Sequence, residues 1–273
     1  MSSSIICDKN CYMNLSLQGK TAVVCGSTQG IGLASAIELS KLAATCILVA
    51  RNELSLQEAL TQLNVSYDQK HQYLVADFDK PENVKEVIEN FVEQNTVHIL
   101  INNSGGPAGG PIATAAEDDF INTFNRHLIC NHILTKAVIP SMKEAGFGRI
   151  INIISTSVKI PLANLGVSNT IRGAVASWSK TMANELGQFN ITVNNVLPGA
   201  TNTQRLQSII QNNASKKNST IDAVEEEMKK EIPMKRFAEA NEIANVVAFL
   251  ASPAASYING VNIPVDGGRT GSM

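Results

Sequence analysis

Apolar residues in this chain fall into short, nearly unbroken runs, separated by longer stretches in which they recur every three or four positions. The runs TAVVCG (21–26), TCILVA (45–50), HQYLVAD (71–77), VHILINN (97–103), RIINIIS (149–155), ITVNNVL (191–197) and INGVNIPV (258–265) have strand length. Several are almost continuous in Val, Ile and Leu, as strands covered on both faces are. Between them, GLASAIELSKLA, PENVKEVIENFVEQ and NEIANVVAFLAS carry helical spacing. Pro81 just after Asp79 fits the first turn of a helix. Strands alternating with helices predict a parallel sheet with crossover connections. The expected fold is α/β: a single Rossmann-type doubly wound domain, with a seven-stranded parallel sheet and helices on both faces.

One segment breaks that rhythm. TQRLQSIIQNNASKKNSTIDAVEEEMKKE (203–231) is polar and charged, and it is inserted after the strand that ends near Leu197. Open α/β sheets bind ligands at the carboxyl ends of their strands. The insertion is therefore expected to form a small substrate lid of one or two helices. Residues 1–16 read as an N-terminal extension, and 17–273 as the domain.

Composition narrows the function classes. The net charge is -2, with 17% charged residues scattered along 273 positions. That gives no basic field for nucleic acid or an anionic membrane. No apolar run approaches a membrane span, and the first residues lack the basic and apolar regions of a signal peptide, so a cytoplasmic protein is expected. Cys7 and Cys11 could be half of a metal site, but no Cys/His pair of matching spacing follows. With Cys25, Cys46 and Cys130, they read as reduced thiols, and no metal is expected.

The chemistry begins at CGSTQGIG. Gly26, Gly30 and Gly32, with Ser27, Thr28 and Ile31 between them, link the first strand to the first helix. Such a turn lets a pyrophosphate approach the backbone and meet the free N–H groups of a helix start. At the end of the second strand, where an acidic residue would bind the ribose 2′-hydroxyl of NAD, stand Ala50 and then Arg51. A guanidinium suits a 2′-phosphate, so NADP(H) is favoured over NAD(H). Asp77 is placed to meet the adenine. INNSGG brings Asn103 and Gly105 close to the adenine ribose.

GSTQGIG, Asp77, NNSG (against a usual NNAG), GRIINIIS, NNVLPGATNT, IPMKRFAEANEIA and PVDGG together resemble the short-chain dehydrogenase/reductase family. The likeness is to its 3-oxoacyl-acyl-carrier-protein-reductase-like branch, from about Leu17 to Gly268. It implies that Pro198, Gly199 and Thr203 line the nicotinamide side, with Thr203 on the carboxamide. It also implies a small carbonyl or alcohol substrate, and a homotetramer or dimer that pairs long helices at 117–145 and 168–188.

The family's chemistry uses an asparagine, a serine and a Y-x-x-x-K pair. Ser155 matches the serine, but SNTIR places Ser168 and Arg172 where the tyrosine and lysine belong. The asparagine place falls on His127, with Asn131 one turn away. A tyrosine has a pKa of ~10, whereas a serine hydroxyl is nearer to water at about 15.7, so Ser168 is a poor proton donor. Arg172 keeps the lysine's charge and its bonds to ribose. His127, with an ordinary pKa of ~6.5, is the candidate acid, and Ser155 would polarise the substrate oxygen. The leading reading is a short-chain oxidoreductase with a non-standard proton donor. The alternative is a sensor or structural subunit that binds the nucleotide without turning it over.

Overall fold

In β1 (Thr21–Cys25) successive side chains leave the sheet on opposite faces, and both faces are apolar. Ala22 and Val24 enter one core and Val23 and Cys25 the other, which is why the run shows no polar alternation. The structure is a computed structural model that describes residues 13–271. After β1 the chain continues through α1 (Gly30–Lys41), β2 (Thr45–Ala50), α2 (Glu53–Leu60), β3 (Gln72–Val75), α3 (Pro81–Val92) and β4 (Ile99–Asn102). The second half holds α4 (Glu117–Phe124), α5 (Cys130–Glu144), β5 (Gly148–Ile153), α6 (Gly166–Leu186), β6 (Ile191–Pro198), α7 (Gln204–Lys217), α8 (Ile221–Lys230), α9 (Ala240–Ala251) and β7 (Asn262–Val265).

The seven strands lie in the order β3-β2-β1-β4-β5-β6-β7, and all neighbours are parallel. The single expected α/β domain with helices on both faces is thus present. Leu39 of α1, Leu56 of α2 and Val247 of α9 pack on one face. Ile88 of α3, Leu134 of α5 and Leu186 of α6 pack on the other. The order reverses between β1 and β4, and a crevice opens there at the carboxyl ends of the strands.

Two sequence expectations are adjusted. The third, fourth and seventh strands are shorter than their apolar runs, because the run ends are spent on turns. Gly260, at φ +71°, turns the chain before β7. The long helix expected at 117–145 is interrupted by a π turn at Asn125–Ile129, whose i→i+5 bonding shifts the register of the side chains on either side. The insertion at 203–231 forms two helices, α7 and α8, with a small core of its own. Leu206, Ile210 and Ala214 recur every four residues and meet Val224 and Met228. Thr203 and Thr220 cap the two helices, their hydroxyls accepting from the N–H groups of Leu206 and Ala223. The extension read at 1–16 falls mostly outside the described residues, as do Cys7 and Cys11.

A row of asparagines crosses the sheet beneath the crevice. Asn102, Asn152, Asn195 and Asn262 sit in register on β4, β5, β6 and β7. Asn102 Nδ2 donates to Asn152 Oδ1 (2.8 Å), and Asn152 Nδ2 donates to Asn195 Oδ1 (3.0 Å) and Ser179 Oγ (2.9 Å). Asn195 Nδ2 donates to Asn262 Oδ1 (2.7 Å). The first three side chains are buried, so each unmade bond costs the full desolvation of its partner. Asn152→Ala is therefore expected to lower stability by about 2–4 kcal/mol in chemical denaturation, more than its side-chain volume explains. A loss under roughly 1 kcal/mol would show that water replaces the row.

Candidate active site

The turn after β1 is shaped by what it excludes. Gly26 has φ +59°, and a Cβ there would stand 2.7 Å from Asn103 Nδ2. A Cβ on Gly32 would stand 2.1 Å from the Gly26 carbonyl oxygen. Asn103 Nδ2 donates to the carbonyls of Cys25 and Gly26, both at 3.2 Å, and so ties β4 to the turn. Gly30, at φ +55°, opens α1 with bare backbone N–H groups. The cradle fits a phosphate group: Cβ-free, at a helix start and facing an open cleft.

That cleft has a volume of about 990 Å³ and runs across the carboxyl ends of the strands. Gly26, Thr28, Gly30 and Ile31 line it, with Arg51, Asp77, Asn103 and Gly105. Ser155, Ser168, Arg172, Pro198 and Gly199 line it too, and so does Thr203, whose Cγ2 is 3.2 Å from where a Cβ on Gly30 would stand. A second depression, of about 260 Å³, lies by the amino end of β6 and holds none of these residues.

Three predicted residues stand back from the cleft wall. Ser27 is fully buried, and its hydroxyl accepts from the Val49 N–H at 3.0 Å, so it joins β1 to β2 instead of meeting a ligand. Gly32 serves the close contact with Gly26. His127, only 2% exposed, lies in the π turn.

The setting of His127 opposes the acid role. Burial, then the charges of Arg172 and Arg126, push its pKa down to about 2. A neutral ring has no imidazolium proton to give at neutral pH. Its Nδ1 shares a 2.7 Å hydrogen bond with Ser104 Oγ, and its Nε2 has no partner. Ser104 is the residue that sequence reasoning missed, although the departure of NNSG from NNAG marked it.

Elsewhere the geometry is more economical than the sequence suggested. Ser155 Oγ accepts from the Ser157 N–H at 3.1 Å, which fixes the turn after β5 and leaves its own O–H to donate. Asp77 Oδ1 accepts from the Asp79 N–H at 3.1 Å. Arg51 is mostly exposed and lies 3.7 Å from Asp79, which also pairs with Arg126. Ser168 and Arg172 are one turn apart on α6. Arg172 is 8% exposed, and its Nη1 donates to the Ile153 carbonyl at 2.9 Å. Burial and then Arg205 lower its pKa to about 10, so it stays charged at neutral pH.

The depressed His127 sets a pH dependence. Between pH ~6.5 and about 2 the unfolded chain binds a proton here that the folded chain does not. The stability this ring contributes is present above ~6.5 and lost as pH falls. His127→Asn should therefore flatten the fall in Tm between pH 7 and 4, with about one proton fewer taken up on unfolding near pH 5. Parallel Tm profiles for the two proteins would show that the ring titrates normally.

The sequence model described as enoyl-(acyl carrier protein) reductase matches residues 26–270. The chain is 33% identical over 258 residues to a 3-oxoacyl-[acyl-carrier-protein] reductase of Pseudomonas aeruginosa, covering 93% of this chain and 98% of that one. It is 31% identical to an NADPH-dependent reductase of Bacillus subtilis, covering 93% and 99%. Among solved structures it is similar to L-sorbose reductase of Gluconobacter frateurii, complexed with NADPH and L-sorbose. That match has a TM-score of 0.89 at 30% identity and covers 96% and 100% of the two chains. By sequence, fold and turn geometry alike, the chain belongs to the short-chain dehydrogenase/reductase family of NAD(P)-dependent oxidoreductases.

Proposed function

We propose that this chain is an NADP(H)-dependent oxidoreductase acting on a small carbonyl or alcohol substrate without a tyrosine acid. One observation carries the reading. A single cleft is lined by both the glycine turn and Ser155, Ser168 and Arg172. NADPH is named for two of the relatives described above, and Arg51 stands where a 2′-phosphate needs a cation. Because Arg51 is exposed and only loosely paired, it can turn to that phosphate at little cost.

The bound nicotinamide supplies or accepts the hydride. Gly26, Gly30 and the start of α1 bind the phosphates, and Thr28 and Ile31 flank them. Asp77, Asn103 and Gly105 meet the adenosine. Pro198, Gly199 and Thr203 hold the nicotinamide side. Ser155 donates its free O–H to the substrate oxygen and so stabilises the negative charge that develops there. Ser168 orients substrate and ribose beside Arg172. His127 acts as a neutral positioning ring behind Ser104, and the proton comes from water in the open cleft. A homo-oligomer through helices 117–145 and 168–188 belongs to the same proposal. It is supported by Ile121 and Phe124 of α4, which are 56% and 38% exposed.

The sensor reading has an observation of its own: the tyrosine is absent and His127 is held neutral, so nothing beside Ser155 matches the family's acid. Two measurements separate the readings. NADPH should bind at least about tenfold tighter than NADH, and Arg51→Ala should remove most of that preference. Equal binding would sink the 2′-phosphate assignment, and no binding of either would sink the reading as a whole. The double change Ser168→Tyr with Arg172→Lys restores the family's pair. It should speed NADPH oxidation by reactive ketones by roughly 10²-fold or more, the usual worth of a placed general acid. If the wild type shows no turnover and the double variant gains none, the cleft is a sensor.

A further inference from the structure

The carboxylates along the cleft are mostly matched to cations. Asp79 faces Arg51 and Arg126, Glu227 faces Lys217 at 2.6 Å, and Glu231 faces Arg269 at 2.5 Å. Asp77 spends an oxygen on its own turn. Among the described residues no acidic side chain comes within ion-pair distance of Arg172 or Arg205.

These two arginines converge from different elements on one point. Arg172 reaches from α6 and Arg205 from the first turn of α7, where it donates to the Pro107 carbonyl. A Cβ placed on Gly106 would stand 3.9 Å from Arg172 Nη2 and 3.6 Å from Arg205 Nη2. Arg172 is more than nine-tenths buried, with one amino group bonded to Ile153 and the other turned toward Gly106. Like charges this close repel, which adds to burial in lowering the pKa of Arg172. Two guanidinium forks on the wall of a cleft, with no protein counterion, match the flat, two-oxygen face of a carboxylate or phosphate.

We infer that Arg172 and Arg205 together hold an anionic group of the substrate, a carboxylate or phosphate, beside Gly106. This rests on the reading of the cleft as an oxidoreductase site and narrows its substrate to acids. The anion bridges α6 to the α7–α8 insertion, so substrate binding draws those helices onto the site. The cofactor diphosphate is the other source of such a charge, but the glycine turn already provides for it.

The test loads the full chain with NADP⁺, so that a ketone cannot turn over, and titrates two probes by calorimetry: 4-oxocyclohexane-1-carboxylate and its methyl ester. The wild type should bind the acid at least about tenfold tighter than the ester, the scale of a lost charge-assisted bond. Arg205→Gln should abolish that preference and leave affinity for the ester and for NADP⁺ within about twofold. Arg205→Lys should recover part of it. Equal affinity of the wild type for acid and ester, or no binding of the acid, overturns the inference. So does an Arg205→Gln variant that loses NADP⁺ as strongly as the acid, since the pair then belongs to the cofactor diphosphate. A wild type that binds no NADP⁺ overturns the nucleotide reading alone, and the same acid-against-ester comparison on the free chain then decides the anion site.

Discussion

The site rests on one close approach, the carbonyl oxygen of Gly26 lying where a side chain on Gly32 would have to begin. That contact lets β1 turn directly into α1, and the turn brings the bare N–H groups at the start of α1 to the cleft. Asn103 closes the arrangement from the next strand by bonding both Cys25 and Gly26. Each part depends on the other. Without the glycines Asn103 has no room, and without Asn103 two carbonyls at the end of β1 lose a donor.

Asn102, the last residue of β4, and Asn103, just past it, divide labour between fold and site. Asn103 turns to the glycine turn, while Asn102 enters the row that runs through Asn152 and Asn195 to Asn262. A row of amides is a poor substitute for aliphatic packing in stability alone, because each must be bonded to offset its burial. It does fix register, because a slip of one residue turns every amide into an apolar layer. The cleft-lining residues after β4, β5 and β6 hang from those registered strands.

Much of this was legible in the sequence, and what was hidden has a physical reason. Apolar runs give strands away because both faces are buried, so seven parallel strands followed from periodicity, whereas their order in the sheet did not. The glycine turn was readable because only missing side chains allow it. The run ends were misjudged, since Ser27 resembles a ligand contact yet its hydroxyl binds the Val49 N–H, a pairing 22 positions away in the chain. The π turn at Asn125–Ile129 leaves no mark in a hydrophobic pattern, and His127 lies buried within it. Arg205 was passed over within a polar insertion, because nothing local says that it will meet Arg172 across Gly106.

The exchanged residues form a connected set, and that bears on whether the site has decayed. Decay leaves exchanged groups unrelated to one another, because nothing selects their neighbours. Here Ser104, which departs from the usual alanine of NNAG, and His127 bond to each other at 2.7 Å. His127 in turn feels the charge of Arg172, and Arg172 faces Arg205. A neutral imidazole tolerates that doubled positive charge better than an imidazolium does, so the low pKa of the ring and the arginine pair support one another. Such mutual fit describes a cleft organised around a concentrated positive charge.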